Sequence, residues 1–465
     1  MLARKSTLVV VIQFVIRFLG WIGLVILAKM WGDFSKVALG IIGFAFSFVG
    51  IFTVIGDAGF GQAHIKRISE GADLGTCIGT YVTVKLILTA IMLGTVSISI
   101  LVLNMFGRGF QDSTTLSVVL VFMLYFFLVS LQNIQTNTFN GRGEIAKMQF
   151  TSMFENLVKV PLMILVALAG VTLINKSTPV QWPSFLQPLH RFIDSHIYGS
   201  LAMTYVFGMG LSVLIGFWLL RKYPIKRPTV QMFKFYFTFA APSFVYLIVS
   251  TISTYCDKII IGFFWTASEV GSYFAVQQFL QIVLILSFAL NTVLLPAYSE
   301  RHAKNQLKNI NSITTLAERY ITMIVVPIVV LIIVFVKPVI FTLLDSSYLP
   351  VSLCFIFLTV YALFFSLMMP CFSLIGGFNK PGTTAKIGIV MYSMNIILNL
   401  LLVPRTGLLT FIGINGPAGA AFSLMISTFF GLVALKFAAR KLTGCPLIQI
   451  STLWHIIAGV LMGVV

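Results

Sequence analysis

Residues 254–301, TYCDKIIIGFFWTASEVGSYFAVQQFLQIVLILSFALNTVLLPAYSER, decide how the rest of the chain is read. An apolar run contains Asp257 and Lys258, two ionisable residues where a membrane span carries none without a partner or a cavity. A short polar turn, Trp265-Thr-Ala-Ser-Glu269, follows. The next apolar run holds Gln277, Gln278, Gln281 and Asn291, ends near Pro296 and is closed by Arg301. Two apolar runs of bilayer-crossing length joined by a few polar residues describe a transmembrane helical hairpin.

The composition extends that reading to the whole chain. Hydrophobic residues make up 58% of 465 positions and charged residues 9%, with a mean hydropathy of +1.00. A soluble domain carries about 25% charged residues, so this is a polytopic membrane protein. The net charge of +18 does not indicate nucleic acid, because the basic residues sit in short loops between apolar runs. An anionic membrane leaflet, or an anionic lipid-linked substrate, is the matching partner. The five cysteines show no C-x-x-C pairing and lie in or beside apolar runs, where they read as small buried hydrophobes. Met1-Leu-Ala-Arg-Lys5 precedes an apolar run too long for the core of a signal peptide, and is read as leading into the first span.

Thirteen stretches are long enough to cross: 7–31, 37–63, 77–105, 114–139, 148–174, 199–220, 236–263, 270–297, 313–343, 351–375, 384–403, 417–437 and 447–465. Gly56 to Gly61, Pro161, Pro242, Pro327 and Pro370 interrupt several of them. The Lys and Arg residues cluster in alternate connections, among them Lys66, Arg67, Arg142, Arg221, Lys222, Lys226, Arg227 and Arg301. The positive-inside rule therefore puts the N-terminus in the cytoplasm of a cell-membrane protein. The longest connection, 175–198, lies outside; Phe185 to Ile193 reads as a short interfacial amphipathic helix. Asn175-Lys-Ser177 matches a glycosylation triplet that also arises by chance, and His190 and His196 read as solvated rather than metal-binding.

An internal repeat appears at an offset of 234–239. Trp31 corresponds to Trp265, Gln62–Arg67 to Pro296–Arg301, and Asn156 to Asn395. The offset spans six helices, an even number, so the halves share an orientation and a pseudo-axis along the membrane normal. The expected fold is an all-α polytopic membrane protein. Two six-helix lobes, 1–228 and 229–440, enclose a central cavity in parallel repeat, and 441–465 adds a further C-terminal helix.

Three short pieces, Asp257-Lys-Ile-Ile-Ile-Gly262, Glu269-Val-Gly-Ser-Tyr273 and Leu295-Pro-Ala-Tyr-Ser-Glu300, resemble in order and spacing the polysaccharide or oligosaccharide flippases. These belong to the exporter superfamily that also holds the lipid II flippases and the multidrug antiporters. Gly377-Phe-Asn-Lys-Pro381, Asn395-Ile-Ile-Leu-Asn399 and Gly413 to Ala421 carry the resemblance into the second lobe, and Arg17-Phe-Leu-Gly20 and Gly56 to Gly61 into the first. Many members have fourteen helices, whereas this sequence stops within its thirteenth. The resemblance implies a transporter rather than an enzyme, a monomer without cofactor. Its substrate would be a lipid-linked oligosaccharide on polyprenyl phosphate or pyrophosphate, moved to the outer leaflet by alternating access. Na+ or H+ is the candidate coupling ion, and polysaccharide-assembly proteins are candidate partners. A cation-coupled multidrug antiporter and a membrane glycosyltransferase or ligase are the alternatives. The first should have an acidic cavity, the second a larger outer loop.

Ionisable groups at bilayer depth are the candidate contacts, because each is costly unless it faces a cavity or a partner. Arg17, Lys85 and Lys159 are cations on three helices of one lobe that suit a phosphate or diphosphate, the first as a planar fork and the others as point charges. The bland alternative is pairing: Glu155 and Lys159 stand i,i+4 in the favourable order. Asp257 and Lys258 serve either substrate and coupling ion or hydrogen bonds between lobes. Asp57 is a helix cap or a cation ligand. Gln277, Gln278, Gln281, Asn133, Asn137, Asn395 and Asn399 would bond sugar hydroxyls or neighbouring helices. Glu318-Arg319 is expected at the interface. No D-x-D, P-loop or H-E-x-x-H motif is present, which disfavours an ATP-driven pump or a zinc protease.

Overall fold

The computed structural model describes residues 2–107, 110, 112–174, 183–184, 187–447 and 449–464, and among them helices are the only regular elements. Eleven helical stretches among the described residues are long and apolar enough to cross a membrane, which makes this a multi-pass membrane protein. Two expected spans fall outside that set. The 270–297 run lies within a single 37-residue helix, Ala267–Ala303. The last run forms a shorter helix, Ile450–Val464.

The chain divides into two compact units, Phe18–Ile259 and a second made of Met1–Arg17 with Ile260–Val465. The first unit takes the later part of α1 (Leu2–Trp31), then α2 (Asp33–Gly50), α3 (Thr53–Asp57), α4 (Phe60–Ser69), α5 (Leu74–Met105) and α6 (Ser113–Gly141). It continues with α7 (Ile145–Ile174), α8 (Gln187–Ser195), α9 (Ile197–Leu220), α10 (Val230–Ala240) and most of α11 (Phe244–Phe264). The second holds α12 (Ala267–Ala303), α13 (Leu307–Val334), α14 (Val336–Leu343), α15 (Ser352–Gly377), α16 (Pro381–Leu402), α17 (Gly416–Thr443) and α18 (Ile450–Val464).

Local chemistry sets the ends of these helices. The Asp73 carboxylate accepts the Thr76 N–H at 2.8 Å and caps α5; Asp112 does the same for α6 through Thr114 at 3.0 Å. Gly444, at φ 72°, closes α17 in the left-handed conformation that suits glycine. Proline sits inside α7, α12, α13 and α15, where packed neighbours tolerate the lost backbone bond.

The expected span 37–63 is not continuous. Ala58 (φ 47°) and Gly59 (φ 85°) both adopt left-handed backbone, and the span breaks into α2, α3 and α4. Pro242 likewise sits in a 3-10 turn, Ala241–Ser243, that separates α10 from α11.

Corresponding helices pack in the same pairs within each unit. In the first, α6 packs on α2, α5 and α9, and α7 packs on α9. In the second, α15 packs on α12, α13 and α17, and α16 packs on α17. The two tryptophans singled out by the repeat make one and the same bond. Trp31 Nε1 donates to the Ala167 carbonyl at 2.8 Å, and Trp265 Nε1 to the Val403 carbonyl at 2.8 Å. The donors are 234 residues apart and the acceptors 236.

The two apolar cores are also internal to their units. One gathers Phe60, Tyr81, Val84, Phe139 and Tyr236; the other gathers Tyr298, Ile321, Val325, Leu374 and Leu435. All five cysteines are buried and none is in a disulfide. Helix α8 runs over Gln187–Ser195, so the amphipathic segment is helical there. Phe185 and Leu186, and the triplet Asn175-Lys-Ser177, lie outside the described residues.

Candidate functional site

The break between α3 and α4 builds a polar site in the first unit. Turning the chain at Ala58–Gly59 leaves Asp57 at the end of a five-residue helix, beside α5. Lys85 comes from the middle of α5, donates to Asp57 Oδ1 at 2.9 Å, and is 2% exposed where its partner is 39% exposed. The pair lines a cavity of about 290 Å³ with Ser130 and Asn133 of α6 and Thr251 and Tyr255 of α11. A cation has thus been carried into the helix bundle, and its counter-ion reaches open space.

Next to the cavity lies a network of neutral groups. Asn137 donates to the Tyr81 hydroxyl at 2.8 Å. The Tyr81 ring stacks on His64 at 4.2 Å. Both His64 nitrogens meet hydroxyls, Tyr236 at 2.9 Å and Thr138 at 3.0 Å. His64 is completely buried. Nothing in a single histidine at a helix end signalled this, because its partners come from α6 and α10.

Lys159 does not form the alternative pair with Glu155. Its ammonium lies over the Tyr205 ring, 4.8 Å from the centroid, while Glu155 accepts the Tyr125 hydroxyl at 3.0 Å. No ion pair joins the two among the described residues. The i,i+4 spacing permits a pair but does not compel it when two tyrosines offer each charge its own partner.

Arg17 belongs to the second unit, where its guanidinium donates to Gln281 and lies 5.4 Å from the centre of the Phe288 ring. Gln277 and Gln278 are on the same helix as Gln281, half-buried and exposed respectively. Asp257 and Lys258 are 1% and 4% exposed on α11, and Lys258 donates to the Thr254 carbonyl at 3.5 Å. Asn395 is buried on α16, and its carbonyl accepts Asn399 Nδ2 at 3.0 Å. Of the expected site residues, Lys85 and Asp57 are brought together with Asn133, and Arg17 with Gln281.

Glu318, expected at the interface, is buried against α17. It is 2% exposed and both its oxygens accept from Lys436 at 2.9 Å. His190 stands 3.3 Å from Asp194, and no metal-holding cluster occurs among the described residues.

The sequence profile of the family described as polysaccharide biosynthesis protein matches residues 2–302. The chain belongs to that family. Among its relatives, a probable low-salt glycan biosynthesis flippase, Agl15, of Haloferax volcanii is 23% identical over 423 residues, 89% of this chain and 80% of that protein. Of solved structures, the lipid II flippase MurJ in an inward closed conformation superposes with a TM-score of 0.72 at 19% identity, covering 98% of this chain and 92% of that one. An outward-facing multidrug resistance MATE family transporter of the MOP superfamily gives 0.61 at 15% identity, over 99% and 96%. This polysaccharide biosynthesis family protein therefore shares the fold of these two structures.

Proposed function

We propose that the protein is a flippase carrying a lipid-linked oligosaccharide, on polyprenyl phosphate or pyrophosphate, from the cytoplasmic to the outer leaflet of the cell membrane. The observation that carries the reading is Lys85, a buried lysine held at a polar cavity by a half-exposed carboxylate. An anionic headgroup entering that cavity displaces Asp57 as the lysine's partner and keeps the charge neutralised throughout. The relative named as a glycan flippase supports the substrate class. Lys159 and Arg17 act as further cations for the headgroup, while Glu155, Asp257, Lys258, Gln277, Gln281 and Asn395 serve as polar or ion-coupling contacts. Two six-helix lobes, 1–228 and 229–440, alternate access, with the N-terminus in the cytoplasm. The matched indole bonds of Trp31 and Trp265 support that repeat.

One observation favours a second reading. Asp57 is 39% exposed beside the cavity and offers a carboxylate to a cation, as a cation-coupled multidrug antiporter requires. Expression in a flippase-null strain separates the two. A flippase restores surface glycan, and charge reversal Lys85→Glu abolishes that rescue at normal abundance. Drug resistance without glycan rescue supports the antiporter instead.

A further inference from the structure

Between α5 and the α10–α11 elbow runs a second cavity, apolar and about 670 Å³ in volume. We propose that it holds the polyprenyl chain of the substrate whose phosphate meets Lys85, an inference that rests on the flippase reading above. Its walls are Thr83 and Ile87 of α5, Phe233 and Phe237 of α10, and Phe244 at the start of α11.

Ala58 lines both this groove and the polar cavity. On α5, Val84 faces the groove while its neighbour Lys85 faces the cavity. An amphiphile with an anionic head at Lys85 therefore meets continuous apolar wall from Ala58 onward. Charge and apolarity are laid out in the order that a prenyl phosphate presents them. A diacyl lipid lying in the bilayer has no reason to place its phosphate at Lys85.

The groove is open along its length, since Ile87 is 55% exposed and Phe237 59%, so a long chain enters sideways. One end is closed by the strap before α10. Lys226 N–H donates to the Gly75 carbonyl at 3.0 Å, and Thr229 N–H to Thr80 Oγ1 at 3.3 Å. A side chain at Gly79 would come within 1.8 Å of the Lys226 carbonyl, so the strap is seated directly on α5. The groove owes its shape to that seat and to the break at Pro242.

The test uses the full chain in phosphatidylcholine nanodiscs, with a benzophenone amino acid replacing Phe237 and 32P-labelled C55 polyprenyl phosphate as probe. Irradiation should label the protein, and excess unlabelled C55 polyprenyl phosphate should remove the label where phosphatidic acid does not. Thr83→Trp, at an exposed position inside the groove, should weaken C55 polyprenyl phosphate by about tenfold, the worth of about two buried methylenes. It should leave farnesyl phosphate within about twofold, because a short chain needs little of the groove. Displacement by phosphatidic acid, or unchanged C55 affinity in Thr83→Trp, overturns the tail site. If Lys85→Gln still weakens the same probe in that case, the flippase reading survives alone. Absence of C55 binding to the wild type sinks both.

Discussion

The pair between Lys85 and Asp57 is unequally exposed, and its two halves should respond differently to mutation. Asp57→Asn strands an ammonium that is 2% exposed, whereas Lys85→Gln leaves a carboxylate that is 39% exposed and keeps its water. Removing the partner of a buried charge costs about 3 kcal/mol, and of a partly solvated one about 1 kcal/mol. Thermal unfolding in detergent should rank Asp57→Asn well below Lys85→Gln, with the double variant Asp57→Asn/Lys85→Gln recovering part of the loss. Equal losses would show that both charges are equally desolvated.

A second residue-scale expectation concerns Glu144, outside the membrane spans, whose carboxylate accepts from Arg142 Nε and Lys147 Nζ at 2.9 Å each and from the Tyr223 hydroxyl. Burial raises its pKa, but the hydrogen bonds from Tyr223, Lys147 and Arg142 outweigh that and lower it from 4.5 to about 2. A carboxylate depressed on folding contributes stability that is complete above its unfolded value and disappears as pH falls toward the folded one. The stability gap between wild type and Glu144→Gln should therefore be constant above pH 5, by unfolding at a series of pH values, and close between about pH 4.5 and 2. A gap that persists at pH 2 would place the contribution in packing rather than charge.

At the scale of elements, the break at Ala58–Gly59 positions both the polar cavity and the groove. Gly59 sits at φ 85°, and a Cβ there would meet Leu247 Cδ1 at 3.1 Å and Ala240 Cβ at 3.3 Å. Gly59→Ala should cost about 1–2 kcal/mol through left-handed backbone alone, with the crowding added. Ala58→Gly should be neutral or stabilising, because Ala58 holds φ 47° without glycine's freedom. Melting temperatures of the two variants give the comparison, and a destabilised Ala58→Gly would contradict it.

The run Gly56 to Gly61 made an interruption legible in the sequence, because three glycines and an aspartate inside an apolar stretch need a reason. What it interrupts was not legible. The seat of 226–229 on α5 joins two backbone N–H groups to the Gly75 carbonyl and the Thr80 hydroxyl, about 150 residues distant in sequence, and hydropathy carries no record of it. Lys159 illustrates the same limit. Its spacing to Glu155 was visible, but Tyr125 and Tyr205, which separate the two charges, come from other helices.

At the scale of the whole molecule, the tryptophan offset was the legible part of the repeat, and the bonds of Trp31 and Trp265 give it a physical form. Each indole N–H satisfies a backbone carbonyl of a neighbouring helix in its own unit. Replacing each by Phe removes one hydrogen bond at about 1 kcal/mol, and the Val403 carbonyl keeps the Gly416 N–H at 3.1 Å. Trp31 is 2% exposed and Trp265 half-buried, so Trp31→Phe should be the costlier by thermal unfolding. Length and apolarity made the crossing helices legible, eleven of them among the described residues. The ion pair of Glu318 with Lys436 lay beyond reach, because an acidic residue near a helix end looks interfacial until its partner from α17 is known.

On the proposed function, the protein translocates a glycan-bearing prenyl phosphate by means of the Lys85 cavity. Purified wild type and Lys85→Glu, reconstituted at equal density into liposomes, can be loaded with a fluorescent oligosaccharide on polyprenyl pyrophosphate and probed with a membrane-impermeant quencher. Wild type should equilibrate the probe between leaflets while Lys85→Glu traps it on the side where it was added. A wild type no faster than empty liposomes, or a Lys85→Glu as fast as wild type, would exclude this mechanism.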